Sequence, residues 1–196
     1  MTATEIGKKH GVTETTPDNV LLGAGIIVSG LTFTDKKWTY TTVYGATSGG
    51  SKLEIKPELQ DLEIDGVLVK TKGMTVKVGE TAQLTTSLAE VTKENLKMAS
   101  LGKVLSTTEG YDEIVSKKNI EKDDYIKDLG FIGYTLDGDP IIVKFDNALC
   151  TSGLSFEAKN KGQATVECTF ECYAEITNDD LSVLPWHVYT KTVASV

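Results

Sequence analysis

Alternation between apolar and polar residues is the clearest pattern in the chain, and its longest run lies near the C-terminal end. Over residues 163–176 every second residue is apolar, and the residues between them are mostly polar. A period of two predicts a long β-strand with one buried face and one wet face. The polar face carries Glu167, Glu171 and Glu175, and a strand places each about 13 Å from the next.

Strands account for most of the remaining pattern. Residues 20–28 are almost continuously apolar, which is typical of a strand buried on both faces. Residues 72–88 alternate, and Gly79-Glu80 interrupts them as either a bulge or the tip of a hairpin. Asp-Gly pairs at 65–66 and 137–138 mark tight turns between strands. Further strands are predicted at residues 31–42, 53–57, 59–64, 67–69, 125–134 and 140–149.

One helix is predicted, over residues 92–101. Thr92 can cap its N-terminus, and Leu96 and Ala99 supply an apolar stripe. Gly102 is placed to end it, as a glycine after the last helical turn commonly does. The chain is therefore expected to be mainly β with one flanking α-helix.

The length of 196 residues suits a single domain with a sizeable core. We assign that domain to residues 19–177. Residues 1–18 are polar and are predicted to form a flexible N-terminal arm. Residues 178–196 form a C-terminal arm whose large aromatics need a partner to cover them. Residues 103–124 are charged and irregular, and they are predicted to be a loop insertion.

Composition narrows the functional classes. A net charge of −8 argues against a general nucleic-acid binder, which would carry a basic face. No apolar run approaches the roughly 20 residues that a membrane helix needs. The first residues contain no apolar core of a secretory signal, so none is expected there.

The cysteines are predicted to be free, buried thiols of a protein made in a reducing compartment. Cys168 and Cys172 share a strand face, but they are about 13 Å apart, which is too far for a disulfide. Cys150 is the third. The two histidines are far from them in sequence, so no metal site is predicted.

Other candidate motifs have simpler interpretations. Residues 45–52 have the glycine spacing of a phosphate-binding loop, but Ser51 stands where the lysine must be, so a flexible Gly/Ser turn is the better interpretation. Acidic clusters at 121–124, 137–139 and 178–180 suit turns better than a calcium loop. The histidines lie in no catalytic motif and are expected to be surface or packing residues. We predict no catalytic residue, metal or cofactor, and no enzyme.

Five segments follow one another in a characteristic order. They are residues 20–28 after a polar N-terminus, the run Tyr44-Gly-Ala-Thr-Ser-Gly-Gly, residues 57–66, Lys72-Gly-Met, and residues 82–97 running from strand into helix. This order resembles the major tail tube proteins of long-tailed (siphovirus-type) bacteriophages of Gram-positive hosts. The resemblance covers most of residues 17–100 and, more loosely, the later hairpin and the last strand.

The resemblance implies a β-sandwich or barrel-like tail-tube fold and a virion structural protein. Copies would self-assemble into hexameric rings, and stacked rings would form the channel for DNA ejection. The implied partners are further copies of the chain, a tape-measure protein in the lumen, the tail terminator, and baseplate or tail-tip proteins. DNA would pass without specific binding. The expected location is the virion tail, after synthesis in the bacterial cytoplasm.

The resemblance also suggests site residues. Glu167, Glu171 and Glu175 would line the lumen, where they repel phosphate, or would face the outside. Expected contacts between subunits or rings are Tyr44, Thr47, Ser48, Trp186 and Tyr189. Two alternatives remain open: a tube subunit of a phage-derived bacteriocin or secretion apparatus, and a carbohydrate- or receptor-binding β-sandwich with exposed aromatics.

Overall fold

The computed structural model describes residues 11–13, 16, 20–108, 110–156, 160, 162–178 and 180–191. With 51% of residues in strands and 7% in helices, and with antiparallel sheets, it confirms a mainly β, β-sandwich-like fold. The helix α1 spans Lys93–Ser100, and a short 3-10 helix spans Lys122–Asp124. The strands are β1 (Leu21–Ser29), β2 (Thr32–Thr34), β3 (Lys37–Thr39), β4 (Thr42–Val43), β5 (Thr47–Asp61), β6 (Thr75–Leu88), β7 (Lys103–Thr108), β8 (Tyr111–Val115), β9 (Ile126–Thr135), β10 (Pro140–Cys150), β11 (Val166–Cys172) and β12 (Trp186–Tyr189).

The main sheet has the order β4-β1-β9-β10-β11-β6-β5, and β12 also pairs with β10. Two strands share one edge of β10, because β12 pairs with residues 142–145 and β11 pairs with residues 148–150. Strands β1 and β5 come within 8 Å of each other, measured between Cα atoms. Since they lie near opposite ends of the order, the sheet curls back on itself.

The curled sheet is buried on both faces near its middle. The main core includes Phe145 and Phe170, and Met98 of the helix packs against it. A smaller core on the other face contains Leu31 and Ile142, and Trp38 of β3 packs against it. The second core explains why β9 and β10 contain runs of buried residues instead of a strict alternation.

The alternation that marks the longest sequence run is present, but the strand is shorter than predicted. Burial alternates along β11 from Val166 to Cys172, with Glu167 exposed. The prediction of a strand over residues 163–176 is wrong at both ends. Beyond Cys172 one further backbone bond joins Tyr173 N–H to Asn147 C=O at 2.9 Å, and the chain then turns.

The predicted helix is confirmed to within one residue at each end. Thr92 caps it, accepting the Asn95 N–H at 3.2 Å. At the C-terminus the left-handed residue is Leu101, with φ 49°, and not the expected Gly102. Gly102 instead donates its N–H to Lys97 C=O at 3.2 Å.

Three other predictions need correction. The predicted loop insertion at 103–124 contains the β7–β8 hairpin and the 3-10 turn. Residues 31–42 form the β2–β3 hairpin and part of β4 because Asp35 and Lys36 both take positive φ and turn the chain. Residues 47–61 form the single strand β5, so most of the expected Gly/Ser turn at 45–52 is strand.

The predicted arms have different outcomes. Most of residues 1–18 lies outside the described residues. The region 178–196 contains β12, which pairs with β10, so part of the predicted arm belongs to the main sheet.

Candidate assembly surface

The β5–β6 hairpin extends beyond the body of the molecule. Its two strands stay paired from Thr47 opposite Leu88 to Asp61 opposite Thr75. On its other side, β6 is covered by β11 only over residues 83–88. Residues 75–82 therefore have β5 as their one ladder neighbour within the described chain. At the rise of a strand, this half is about 25 Å long.

The outer half of this hairpin is exposed on both faces. Apart from Asp61 and Met74, every residue from 56 to 78 is exposed. Many of these residues are apolar, and Leu68 at the tip is 95% exposed. Apolar patches of this kind mark surfaces that bind a partner. The exposed large apolar residues are Leu59, Leu62, Ile64, Val67, Leu68, Val69, Val76 and Val78.

Local sequence signals account for the shape of the hairpin. Gly49 and Gly50 take positive φ of 81° and 86°, where the register shifts between Thr47 and Ser51. A second register shift, next to Gly79, confirms the predicted bulge and excludes a hairpin tip there. At the true tip, Gly66 takes φ 86°, as expected for the Asp-Gly turn.

A continuous polar face crosses β5, β6 and β11. Gln83 on β6 lies opposite Glu54 on one side and Glu171 on the other. Its Nε2 donates to Glu171 Oε1 at 3.1 Å. One row along, the hydroxyls of Thr85 and Thr169 are 3.2 Å apart. This polar face is therefore ordered by side-chain hydrogen bonds between neighbouring strands.

The polar face is not uniformly acidic. Glu54 is paired with both Lys52 and Lys56. The hydrogen bond from Lys52, and next to it the one from Lys56, lower the pKa of Glu54 to about 2. Lys52, Lys56 and Glu54 together carry one net positive charge, so β5 offsets part of the negative charge that Glu167 and Glu171 bring from β11.

Of the predicted acidic set, the structure brings two members together. Glu167 and Glu171 lie on the same polar face of β11. Glu175 lies beyond the end of the strand and lines a separate cleft of ≈ 690 Å³ with Lys122 and Lys127. In this cleft the rings of Tyr125 and Tyr173 meet edge to face at 5.5 Å.

The predicted contact residues are spread over the fold. Tyr44 packs against the main core, 6.2 Å from the Phe170 ring, and burial raises its pKa. Trp186 also packs against the main core. Thr47 is half-buried at the start of β5, and Ser48 beside it is exposed. Their role as intersubunit contacts remains a prediction.

A row of aromatic rings was not foreseen from the sequence. Phe33 and Trp38 are 5.0 Å apart, and Trp38 meets Tyr189 edge to face at 4.8 Å. Phe33 is 58% exposed. The β12 strand brings Tyr189 to Trp38 across more than 150 positions of sequence, which no local pattern indicates. His187 is partly exposed and stacks on Tyr189 at 5.9 Å, consistent with the expected packing role.

Within the described residues, no group of three or more His, Cys, Asp or Glu side chains is arranged to hold a metal ion. In the same part of the chain, no helix is long and apolar enough to span a membrane. A scan against protein-family models and a search of curated proteins found no match to the chain.

Proposed function

We propose that this chain is a structural subunit that assembles with copies of itself, as the tail tube subunit of a long-tailed bacteriophage. Hexameric rings of such subunits stack into a hollow tube that delivers the genome. The observation that carries the proposal is the β5–β6 hairpin, which is exposed on both faces and rich in apolar residues at its tip.

The hairpin favours a partner of the same kind. A two-stranded ribbon is marginally stable by itself in water. Residues 75–82 of β6 have an open edge in the described chain, and such edges pair readily with another strand. In a closed ring every subunit presents this edge to its neighbour, so no edge remains exposed.

The polar face suits a channel wall. It carries Thr85, Thr169 and Gln83 between the charged residues, so it offers water a continuous hydrogen-bonding surface. The overall charge of −8 disfavours adhesion of DNA. We place Glu167 and Glu171 in the lumen on this basis. The tape-measure protein would occupy the same lumen before ejection, and the terminator and tail-tip proteins would close the two ends of the tube.

Electron microscopy of matched variants tests the proposal. Ile64 in the hairpin loop and Ile120 outside it are each 52% exposed. Neither is in the core, so Ile64→Lys and Ile120→Lys should both fold. We expect the wild type and Ile120→Lys to form rings or tubes at high concentration or with tail initiator and chaperone proteins. Ile64→Lys should need at least about tenfold more protein to assemble, as expected for a charge in an interface centre.

Two outcomes would overturn this. The first is a wild-type protein that stays monomeric under all these conditions, by negative-stain microscopy and light scattering. The second is an Ile64→Lys variant that assembles at the wild-type concentration. Whether the tube belongs to a phage or to a phage-derived bacteriocin or secretion apparatus is decided by neighbouring capsid and terminase genes.

A second candidate function is carbohydrate binding, which the aromatic row of Phe33, Trp38 and Tyr189 favours. Its rings cross at interplanar angles of 50° and 61°, so they form no flat platform for a sugar ring. For that reason it ranks behind assembly. Glycan-array binding by a stable monomer, lost in Trp38→Ala, would reverse the order.

A further inference from the structure

Two Asp-Gly pairs occupy tight turns, one in the loop of the β5–β6 hairpin and one between β9 and β10. They are Asp65-Gly66 and Asp137-Gly138. Both aspartates are exposed, and the two glycines take almost the same positive φ, 86° and 84°. Nothing lies within 4 Å of the place where a Cβ would stand on either glycine. The main difference between the two pairs therefore lies in their hydrogen bonds.

The turn at Gly138 is held by hydrogen bonds on both sides. The Gly138 N–H donates to Thr135 C=O at 2.9 Å. The Thr135 N–H donates to Asp139 C=O at 2.9 Å, and the Asp139 N–H donates to the Thr135 hydroxyl at 3.1 Å. The backbone nitrogen of Gly138 therefore cannot leave its position without breaking its own bond and straining the other two.

The turn at Gly66 lacks this support. Within the described residues, the Gly66 N–H makes no hydrogen bond, and the Asp65 carboxylate has no hydrogen-bond or ion-pair partner. One backbone hydrogen bond crosses the turn, from Val67 N–H to Ile64 C=O at 3.1 Å. The β5–β6 ladder ends at Asp61, before the turn is reached. The Asp65 carboxyl group and the Gly66 nitrogen are therefore both open to water and to each other.

We propose that Asp65-Gly66 is a modification site at which aspartate isomerises to isoaspartate without an enzyme. The Gly66 nitrogen attacks Cγ of the protonated Asp65 carboxyl group, the C–O bond breaks, and the hydroxyl leaves as water with the amide proton. The product is a five-membered cyclic imide. Water then adds to the former main-chain carbonyl carbon of Asp65 and breaks its bond to nitrogen, so the chain now runs through Cγ. One water leaves and one enters, so the reaction needs no further reactant.

The hydrogen bonds decide which of the two pairs reacts. The attack requires the peptide nitrogen to turn toward the side chain of the preceding aspartate. Glycine leaves its nitrogen accessible in both pairs, because it has no side chain. At Gly66 no hydrogen bond from a described residue opposes the rotation, whereas Gly138 must first give up its bond to Thr135. The two pairs should therefore react at different rates in the folded protein.

The modification would change the hairpin loop and leave the fold intact. Isoaspartate adds one carbon to the main chain and leaves a carboxylate on the α carbon. Ile64 and Leu68, both exposed, lie close to this position in the loop, and the β5–β6 ladder lies outside it. The chemistry does not depend on the proposed assembly function. Its consequence does rest on that function, since a modified subunit would present an altered loop to a neighbouring copy.

Peptide mapping of the folded, full-length protein tests the proposal. The protein is kept for several weeks at body temperature and mildly acidic pH, at a concentration too low for assembly. Fragmentation by electron transfer then distinguishes isoaspartate from aspartate at each position. We expect at least about tenfold more isoaspartate at Asp65 than at Asp137, because hydrogen bonds protect the second pair.

Unfolded protein is the matched control. Neither turn persists in concentrated urea, so the two pairs should form isoaspartate at similar rates there. The Asp65→Ser variant, changed at an exposed loop position, should show no isoaspartate at residue 65 and the wild-type amount at Asp137. Circular dichroism of the aged wild type should match that of fresh protein, because the ladder is unchanged.

Two results would overturn the proposal. The first is folded protein without isoaspartate at Asp65 by the time that the urea sample has formed it. The second is folded protein in which Asp65 and Asp137 have isomerised to the same extent. Neither result would bear on assembly, which is measured separately with the hairpin variants.

Discussion

Glu80 binds the C-terminal segment, residues 184–189, to β6 through a hydrogen bond to Leu184. Removal of its carboxylate is expected to destabilise that segment. The side chain of Glu80 is 4% exposed. Its Oε1 accepts the Leu184 N–H at 2.8 Å, and its Oε2 accepts from Lys77 Nζ at 2.6 Å. The same carboxylate lies near the buried Nε1 of Trp186, for which the described residues supply no hydrogen-bond partner of normal geometry. The Glu80→Ala variant loses all of these contacts at once.

The magnitude follows from the contact to Leu184. A hydrogen bond to a charged group contributes about 1.5–3 kcal/mol, and its loss leaves a half-buried N–H without an acceptor. In a chain of this length, each kcal/mol shifts the melting temperature by about 2–4 °C. We therefore expect Glu80→Ala to melt about 3–12 °C below wild type. Glu80→Gln keeps an acceptor for Leu184, so it should lose less.

Thermal unfolding followed by circular dichroism measures the shift. Hydrogen exchange locates it, because the amides of residues 184–189 should exchange faster in Glu80→Ala. The control is Glu63→Ala, an exposed carboxylate in the hairpin loop. If Glu80→Ala melts together with the control and the exchange of 184–189 is unchanged, the carboxylate does not anchor the segment.

Two further predictions concern buried or paired polar groups. Asn95 is 2% exposed and donates through Nδ2 to Tyr44 C=O at 3.0 Å and to Glu90 C=O at 2.9 Å. In urea unfolding, Asn95→Ala should therefore lower the free energy of unfolding by about 2–3 kcal/mol. A loss no larger than that of Ser100→Ala, at an exposed position of the same helix, would contradict this. Hydrogen bonds from Lys77 and from Leu184 N–H lower the pKa of Glu80. Its contribution to stability is therefore present above the ordinary pKa of an unfolded glutamate, about 4.3, and is lost as pH falls through the lowered pKa. The melting temperature of wild type should therefore drop below about pH 4, and Glu80→Gln should show a smaller drop; equal drops would refute this source of acid sensitivity.

Local patterns predicted the elements whose signals are local. The helix could be predicted because Thr92 is a capping residue, Ala99 belongs to an apolar stripe, and a glycine, Gly102, follows the last turn. The β9–β10 hairpin was found because Asp137-Gly138 separates two apolar runs, and Gly138 takes the positive φ of 84° that this turn needs. The face of Glu167 and Glu171 was also correct, since alternation alone determines it.

The elements that sequence missed depend on distant partners or on unusual turns. The Asp35-Lys36 turn has positive φ at both residues. Neither is a glycine, so the sequence carries no strong turn signal that would predict the β2–β3 hairpin. Strand β12 exists because Glu80 and β10 hold it, and both are far away in sequence. The diagonal placement of Cys150 and Cys168 on neighbouring strands depends on the register of β10 and β11, which spacing along the chain does not reveal.

In the proposed assembly, the exposed hairpin would link the stability of each subunit to its binding of a neighbouring copy. The body supplies ladder neighbours to β6 only from Gln83 onward, and the main core likewise includes Ala82 and Leu84 but none of the residues 75–81. Apart from the contacts of Glu80 with the C-terminal segment, the outer half of the hairpin is therefore stabilised mainly by its β5–β6 hydrogen bonds. A neighbouring copy that covers Leu68 and the open edge of β6 would order the outer half of the hairpin as it binds. The free-energy cost of this ordering would lower the affinity of each single contact between subunits. Closure of the proposed ring would restore stability because every hairpin would then be covered at once. Assembly should accordingly depend steeply on protein concentration, and the protection that it adds should fall on the outer half of the hairpin and not on the core.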